Sequence, residues 1–254
     1  MTGLEVAAVL LAGVAAGTIN TVVGSGTLIT FPTLLALGVP PVTANVSNTV
    51  GLVPGSLSGA VGYRRELAGQ RGRLLRLAPA SVLGAIAGAV LLLVLPASAF
   101  DAIVPVLIGV GVLLVVTGPA IQRRVAARHE ARGGIPDHGA AWVWPAVAGA
   151  GVYGGYFGAA QGVLLMAILG IGVDDDLQRH NATKNVLALL VNGVAAVVFI
   201  AVADVDWAVA GLIAVGSVVG GQIGAGVGRR LPAGLLRAVI VVVGIVALAV
   251  FLRG

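Results

Sequence analysis

Cysteine is absent from this 254-residue chain, so disulfides and thiolate metal sites are excluded. Charge is nearly absent too: 10% of residues are charged, against about 25% in a soluble domain. A water-facing surface cannot be built from so little charge. Lysine occurs once, at Lys184. None of the three histidines, His129, His138 and His180, falls inside an apolar run, and there is no His-x-x-x-His pair. Together with the missing Gly-x-Ser-x-Gly pattern, this argues against an enzyme, an intramembrane serine hydrolase at Ser25 included. Carboxylates are missing from the apolar runs, which argues against a hard metal-cation site, and no cofactor motif is present.

What remains is 58% hydrophobic with a mean hydropathy of +1.06. That composition predicts an integral membrane protein, in contact with lipid. The net charge of +5 is not a nucleic-acid footprint, because the arginines sit in short loops between apolar segments, as topology signals do. Val14-Ala15-Ala16 resembles a signal-peptidase site, but only Glu5 precedes the apolar run, so a basic n-region is lacking and the segment reads as part of the membrane domain.

A spanning helix needs roughly 20 apolar residues. Clean candidates lie near 45–62, 77–95, 101–120, 183–203, 207–228 and 232–252. Residues 3–39 and 141–173 are apolar but too long for one crossing, and each is interrupted by a glycine-flanked polar break: Gly24-Ser25-Gly26 in the first, Gln161-Gly162 in the second. Each reads as a bent hairpin of two helices. An ungapped offset of 136 residues superposes Gly13 on Gly149, Gly26 on Gly162, Asn45 on Asn181 and Val50 on Val186. Matching interruptions in two halves of a membrane chain point to a substrate site at a repeat interface.

Arginine placement orients the segments. Arg64, Arg65, Arg71, Arg73 and Arg76 share one loop, Arg123, Arg124, Arg128 and Arg132 the next large one, and Arg229 and Arg230 a third. Placing these in the cytoplasm requires 141–173 to return to the side it enters from. Each half then holds one broken hairpin plus three crossings, which inverts the second half. The expected fold is all-α and polytopic, with two inverted repeats at 1–120 and 141–254 joined by a polar cytoplasmic linker at 121–140. Both termini are expected outside, the N-terminal one on the evidence of Glu5 alone.

Most glycines read as helix-packing stripes, such as Gly216, Gly220, Gly224 and Gly228 or Gly84 and Gly88. Gly24, Gly26 and Gly162 read instead as backbone breaks. Lys184 is either a boundary lysine that fixes topology or an anion ligand between the repeats. Around it lie His180, Asn181, Thr183 and Asn185, with Asn192 two turns beyond Asn185. In the first half Asn45, Ser47, Asn48 and Thr49 stand at the corresponding helix start, where capping accounts for Asn45 or Ser47 but not for all four. Neutral donors, helix N-termini and one lysine suit an anion. The candidate substrate-binding residues are Asn20, Ser25, Asn45, Asn48, Gln161, Lys184 and Asn192. Asp174-Asp175-Asp176 reads as a solvated turn; a gating or proton-coupling role with Arg179 and His180 is the alternative.

The order of these motifs resembles the TauE/SafE family of sulfite and organosulfonate permeases. In the first half the resemblance rests on Gly13-x-x-x-Gly17, Asn20, Gly24-Ser25-Gly26, Phe31-Pro32-x-Leu34-Leu35, Ala44-Asn45-x-x-Asn48 and Tyr63-Arg64-Arg65. In the second it rests on Gly151-x-x-x-Gly155, Ala182-Thr183-Lys184 and Asn192. It covers nearly the whole chain. The chain departs from the family pattern in having Gly24-Ser25-Gly26-Thr27 where a glycine run is frequent, and Ile168 where the repeat would place the counterpart of Pro32. The resemblance implies secondary-active movement of small anions, such as sulfite, sulfoacetate or related carboxylates, coupled to a proton or sodium gradient. A passive anion channel is the alternative. The sequence leaves the oligomeric state open.

Overall fold

The computed structural model describes residues 1–130 and 139–227, with isolated positions between 238 and 249. The described residues are helical, without strands: α1 (Gly3–Val22), α2 (Thr27–Ala36), α3 (Pro41–Gly62), α4 (Arg71–Val94), α5 (Ala97–Glu130), α6 (Val143–Tyr156), α7 (Gln161–Gly172), α8 (Leu177–Val202) and α9 (Trp207–Val227). Helices α1, α4, α8 and α9 and residues 98–117 of α5 are long and apolar enough to cross a membrane. Helix α3 has the length, at 22 residues, but carries Asn45, Ser47, Asn48, Thr49, Ser56 and Ser58. Helices α2 and α7 have 10 and 12 residues. At about 1.5 Å per residue each covers only about half of a 30 Å hydrocarbon core. The expected span at 232–252 lies largely outside the described residues. The expected linker at 121–140 is helical in its first half, because α5 continues to Glu130.

Both long apolar segments are broken, the first at Gly24-Ser25-Gly26 as expected; the second breaks at residues 157–160, and Gln161 and Gly162, expected as the break, are the first two residues of α7. Helix α1 starts on a Thr2/Glu5 capping box and ends when the Val23 and Gly24 N–H groups both turn back onto the Ile19 carbonyl, at 2.7 and 2.9 Å. Gly24 has φ of +90°, a conformation that a side chain disfavours. The second break repeats the turn: Phe157 and Gly158 donate to the Tyr153 carbonyl at 3.0 Å each, and Gly158 has φ of +74°. The conformational counterpart of Gly24 is therefore Gly158, 134 residues on, and not a position at the ungapped offset of 136. Helix packing agrees. A Cβ on Gly17 would strike the Ser217 backbone, and one on Gly151 that of Ser81, so Gly17 corresponds to Gly151. The two residues are recovered in α7, which is two longer than α2.

The capping expectation for Asn45 and Ser47 is corrected. Helix α3 begins at Pro41, whose missing N–H suits the first helical position, so Asn45 lies in the second turn and serves another helix. Helix α8 is capped by Asp176, whose Oδ1 accepts from the Arg179 N–H at 2.9 Å.

The glycine stripes bring helices into backbone contact. Helix α1 packs on α9 and α6 on α4, while α3 and α8 lie against each other at the centre. A Cβ at Gly84 or Gly88 would overlap the α6 backbone, and one at Gly216 or Gly220 the α1 backbone. Lipid offers no hydrophobic gain, so close van der Waals contact is what such stripes supply. Phe31 of α2 meets Phe157 of the second break edge to face, with ring centroids 5.0 Å apart, and Phe100 of α5 completes the cluster.

Gly17→Ala should lower the unfolding temperature in detergent, because over-packing costs about 1–3 kcal/mol. Gly193→Ala should hold or raise it, since nothing lies within 4 Å of the new methyl and alanine favours a helix by about 1 kcal/mol. Thermal unfolding of the two variants checks the difference.

Candidate functional site

The two breaks touch. The Gly162 N–H donates to the Gly24 carbonyl at 3.0 Å, and a Cβ on either glycine would overlap the backbone of the other. Gly26 is as constrained: it precedes α2, its N–H donates to Asn20 Oδ1 at 2.7 Å, and a Cβ there would overlap the Ala16 carbonyl.

A helix that stops inside a membrane protein leaves carbonyls without partners. Here each break draws donors from the other half of the chain. On the α1 terminus, Asn181 and Asn185 of α8 donate through Nδ2 to the Thr21 carbonyl at 3.1 and 3.2 Å. Lys184 Nζ donates to the Asn20 carbonyl at 2.8 Å and to Thr21 at 3.2 Å. On the α6 terminus, Asn45 of α3 donates to the Tyr156 carbonyl at 2.9 Å. The central helices meet where Asn192 Nδ2 donates to Ser56 Oγ at 3.1 Å, a pair whose members are 136 residues apart.

Beside this junction is a small open pocket of about 20 Å³, lined mainly by polar residues and glycines. Of the seven candidate ligands, Asn20, Gln161 and Asn192 line it, as do Gly24 and Gly162. Gln161 is 4% exposed and its Nε2 has no hydrogen-bond partner. The missing side chain of Gly154 gives Gln161 its room. Asn48, Ser25, Asn45 and Lys184 are buried away from the lining. Asn48 sits one layer back, donating to Thr27 Oγ1 at 3.3 Å and accepting from Thr30 Oγ1 at 2.5 Å. Ser25 is fully buried with an unpartnered Oγ. Lys184 is 0% exposed and lies behind the carbonyls it caps.

The lining also includes Thr21, Thr27, Ser56, Gly158 and Asn185, which were not among the candidates. Ser56 could have been found as the residue 136 before Asn192. Gly158 was hidden by the two-residue shift. Among the described residues no carboxylate lines the cavity. Helices α2 and α7 begin at Thr27 and Gln161, so both N-termini face it, while the opposing α1 and α6 C-termini carry amide or ammonium donors. The balance of dipoles favours negative charge.

At the α4 end of the bundle the solvated reading of Asp175 is corrected. Its carboxylate pairs with Arg73 at 2.6 Å and Arg179 at 2.7 Å, tying α4 of the first half to the α7–α8 loop of the second. Arg179 also donates to the Ala68 carbonyl, and Gln70 to the Arg179 carbonyl. His180 is buried and does not line the cavity. Among the described residues no cluster of His, Cys, Asp or Glu could hold a metal ion.

These features define an integral membrane protein with two broken helices meeting at a polar cavity, the architecture of a membrane transporter. The chain belongs to the sulfite exporter TauE/SafE family, whose model matches residues 9–251. It is similar to the Probable membrane transporter protein YfcA of Escherichia coli K12, at 27% identity over 241 residues covering 91% of this chain and 83% of the relative. The YfcA proteins of strains CFT073 and O157:H7 match to the same extent. No solved structure matches the chain. Family and relatives place the protein in the bacterial inner membrane as a transporter of small molecules.

Burial pushes the Asp175 carboxyl up, but the hydrogen bonds from Arg73 and Arg179 outweigh it and hold the group below the ordinary value of 3.8. The folded state thus binds this proton less readily than the unfolded chain. The stabilisation is complete above the ordinary aspartate range and is lost as pH falls through the folded value. Asp175→Asn should unfold a few degrees below wild type at neutral pH, with the gap closing below about pH 4. Melting curves across pH would check it.

Proposed function

We propose that the protein is a secondary-active transporter of small anions, sulfur oxyanions and organosulfonates or carboxylates, that exposes the cavity alternately through two inverted repeats. The observation that carries this reading is the cavity itself. A buried, unpartnered Gln161 amide and two helix N-termini converge on a space that, among the described residues, no carboxylate lines.

In this reading Gln161 Nε2 donates directly to the anion, and Asn20 and Asn192 orient it. Ser25 holds a spare hydroxyl beside the first break. Asn48 sets Thr27, whose oxygen accepts from Asn48 and whose O–H is left for the substrate. Asn45 holds the second break closed, and Lys184 supplies positive charge from behind the first. Family membership favours sulfur-containing anions, since the matching model is described as a sulfite exporter. The dipoles alone select negative charge, not sulfur.

Purified protein in proteoliposomes should accumulate one of sulfite, sulfoacetate or a small carboxylate above equilibrium under an imposed pH gradient. Flux that only equilibrates the anion would indicate a channel. Gln161→Ala should raise the KM of that anion roughly 10-fold or more, the size expected for one hydrogen bond to a charged group, with the unfolding temperature unchanged. An unaltered KM would remove Gln161 from the site.

A further inference from the structure

Lys184 is fully buried on a membrane-spanning helix, yet among the described residues it has no acidic partner. Its ammonium sits instead on the Asn20 and Thr21 carbonyls, where α1 is broken. Main-chain carbonyls at a broken helix's C-terminal end are what sodium-coupled transporters use to coordinate their cation. A third oxygen is at hand. Asn181 donates through Nδ2 to the same Thr21 carbonyl, while its Oδ1 is buried without a hydrogen-bond partner. Turning that amide over would present oxygen in place of nitrogen. The seat thus has the chemistry of a monovalent-cation site, and the chain fills it with a cation of its own.

We propose that the Lys184 ammonium is a tethered cation occupying the seat that a coupling sodium ion would otherwise take, so that this protein closes its first helix break without sodium. The charge that offsets the transported anion then travels with the protein and is not drawn from solution. Sodium coupling is thereby excluded at this seat. The consequence for coupling rests on the transport reading above; the seat does not, and its test needs no transport.

The test is thermal unfolding of the purified chain in about 100 mM NaCl or choline chloride. Wild type should unfold at the same temperature in both. Lys184→Ala, which empties the seat, should unfold at a lower temperature in choline and regain roughly 3 °C in sodium, the shift expected for a weak site filled about tenfold above its Kd. Lys184→Ser, which leaves a hydroxyl in the space, provides a second variant. Sodium-dependent stabilisation of wild type, or folded Lys184 variants that respond equally to both salts, would overturn the proposal. If neither variant folds, the wild-type comparison decides. A wild type insensitive to sodium whose liposomes move no anion would count against the transport reading and leave the seat standing.

Discussion

Everything in this structure depends on how two helices can stop at membrane depth. Each interruption strands main-chain carbonyls, and a buried polar group without a partner costs about 1–3 kcal/mol, more where lipid leaves no water to help. The αL glycines Gly24 and Gly158 let the chain turn and recover one carbonyl each, at Ile19 and Tyr153. Three further carbonyls are met by side chains from the other half: Asn20 and Thr21 by Asn181, Lys184 and Asn185, and Tyr156 by Asn45. Neither break is self-sufficient. The polar residues of α3 and α8 must reach across the centre, and the glycine stripes that let α9 approach α1 and α4 approach α6 support that packing.

This constraint also shapes the cavity's chemistry. A break presents two helix ends of opposite sign. Capping the C-termini with amides and an ammonium screens their negative ends. The N-termini of α2 and α7, starting at Thr27 and Gln161, keep their positive dipole ends toward the cavity, although the Gln161, Gly162 and Val163 N–H groups already donate to the Gly158, Gly24 and Ala160 carbonyls. The balance of helix dipoles at the cavity is thus a by-product of closing the breaks. The two sides are unequal. The α1 terminus takes three side chains, one of them charged, and the α6 terminus takes one amide. Arg73, Asp175 and Arg179 add an ionic tie at one end of the bundle.

Much of the fold was legible because its signals are local and chemical. Long apolar runs with interior glycines announced the broken helices, small residues at spacing four announced close packing, and the order of motifs announced the family. The misreadings arose where a local signature had a distant partner. Asn45 resembles a cap for its own helix, but its acceptor is Tyr156, 111 residues away. Asp175 resembles a solvated turn, but Arg73 reaches it from α4. The ungapped offset concealed Gly158, because the two extra residues of α7 keep α3 and α8 in register while α1 and α6 slip by two. Lys184 stood out by its rarity, though no spacing rule shows that its ammonium faces carbonyls behind the cavity.

The central claim is that the anion binds where the breaks meet, and Ser56 offers the most direct view of it. Ser56 lines the cavity and pairs with Asn192 at the contact of α3 and α8. The chain has no native cysteine, so Ser56→Cys creates a single reporter whose modification by a small maleimide can be timed. The transported anion, in a form unreactive toward maleimide such as sulfoacetate, should slow that modification in proportion to its occupancy, with half-protection at its KM. Labelling at an unchanged rate with saturating transported anion would contradict the account and move the site elsewhere.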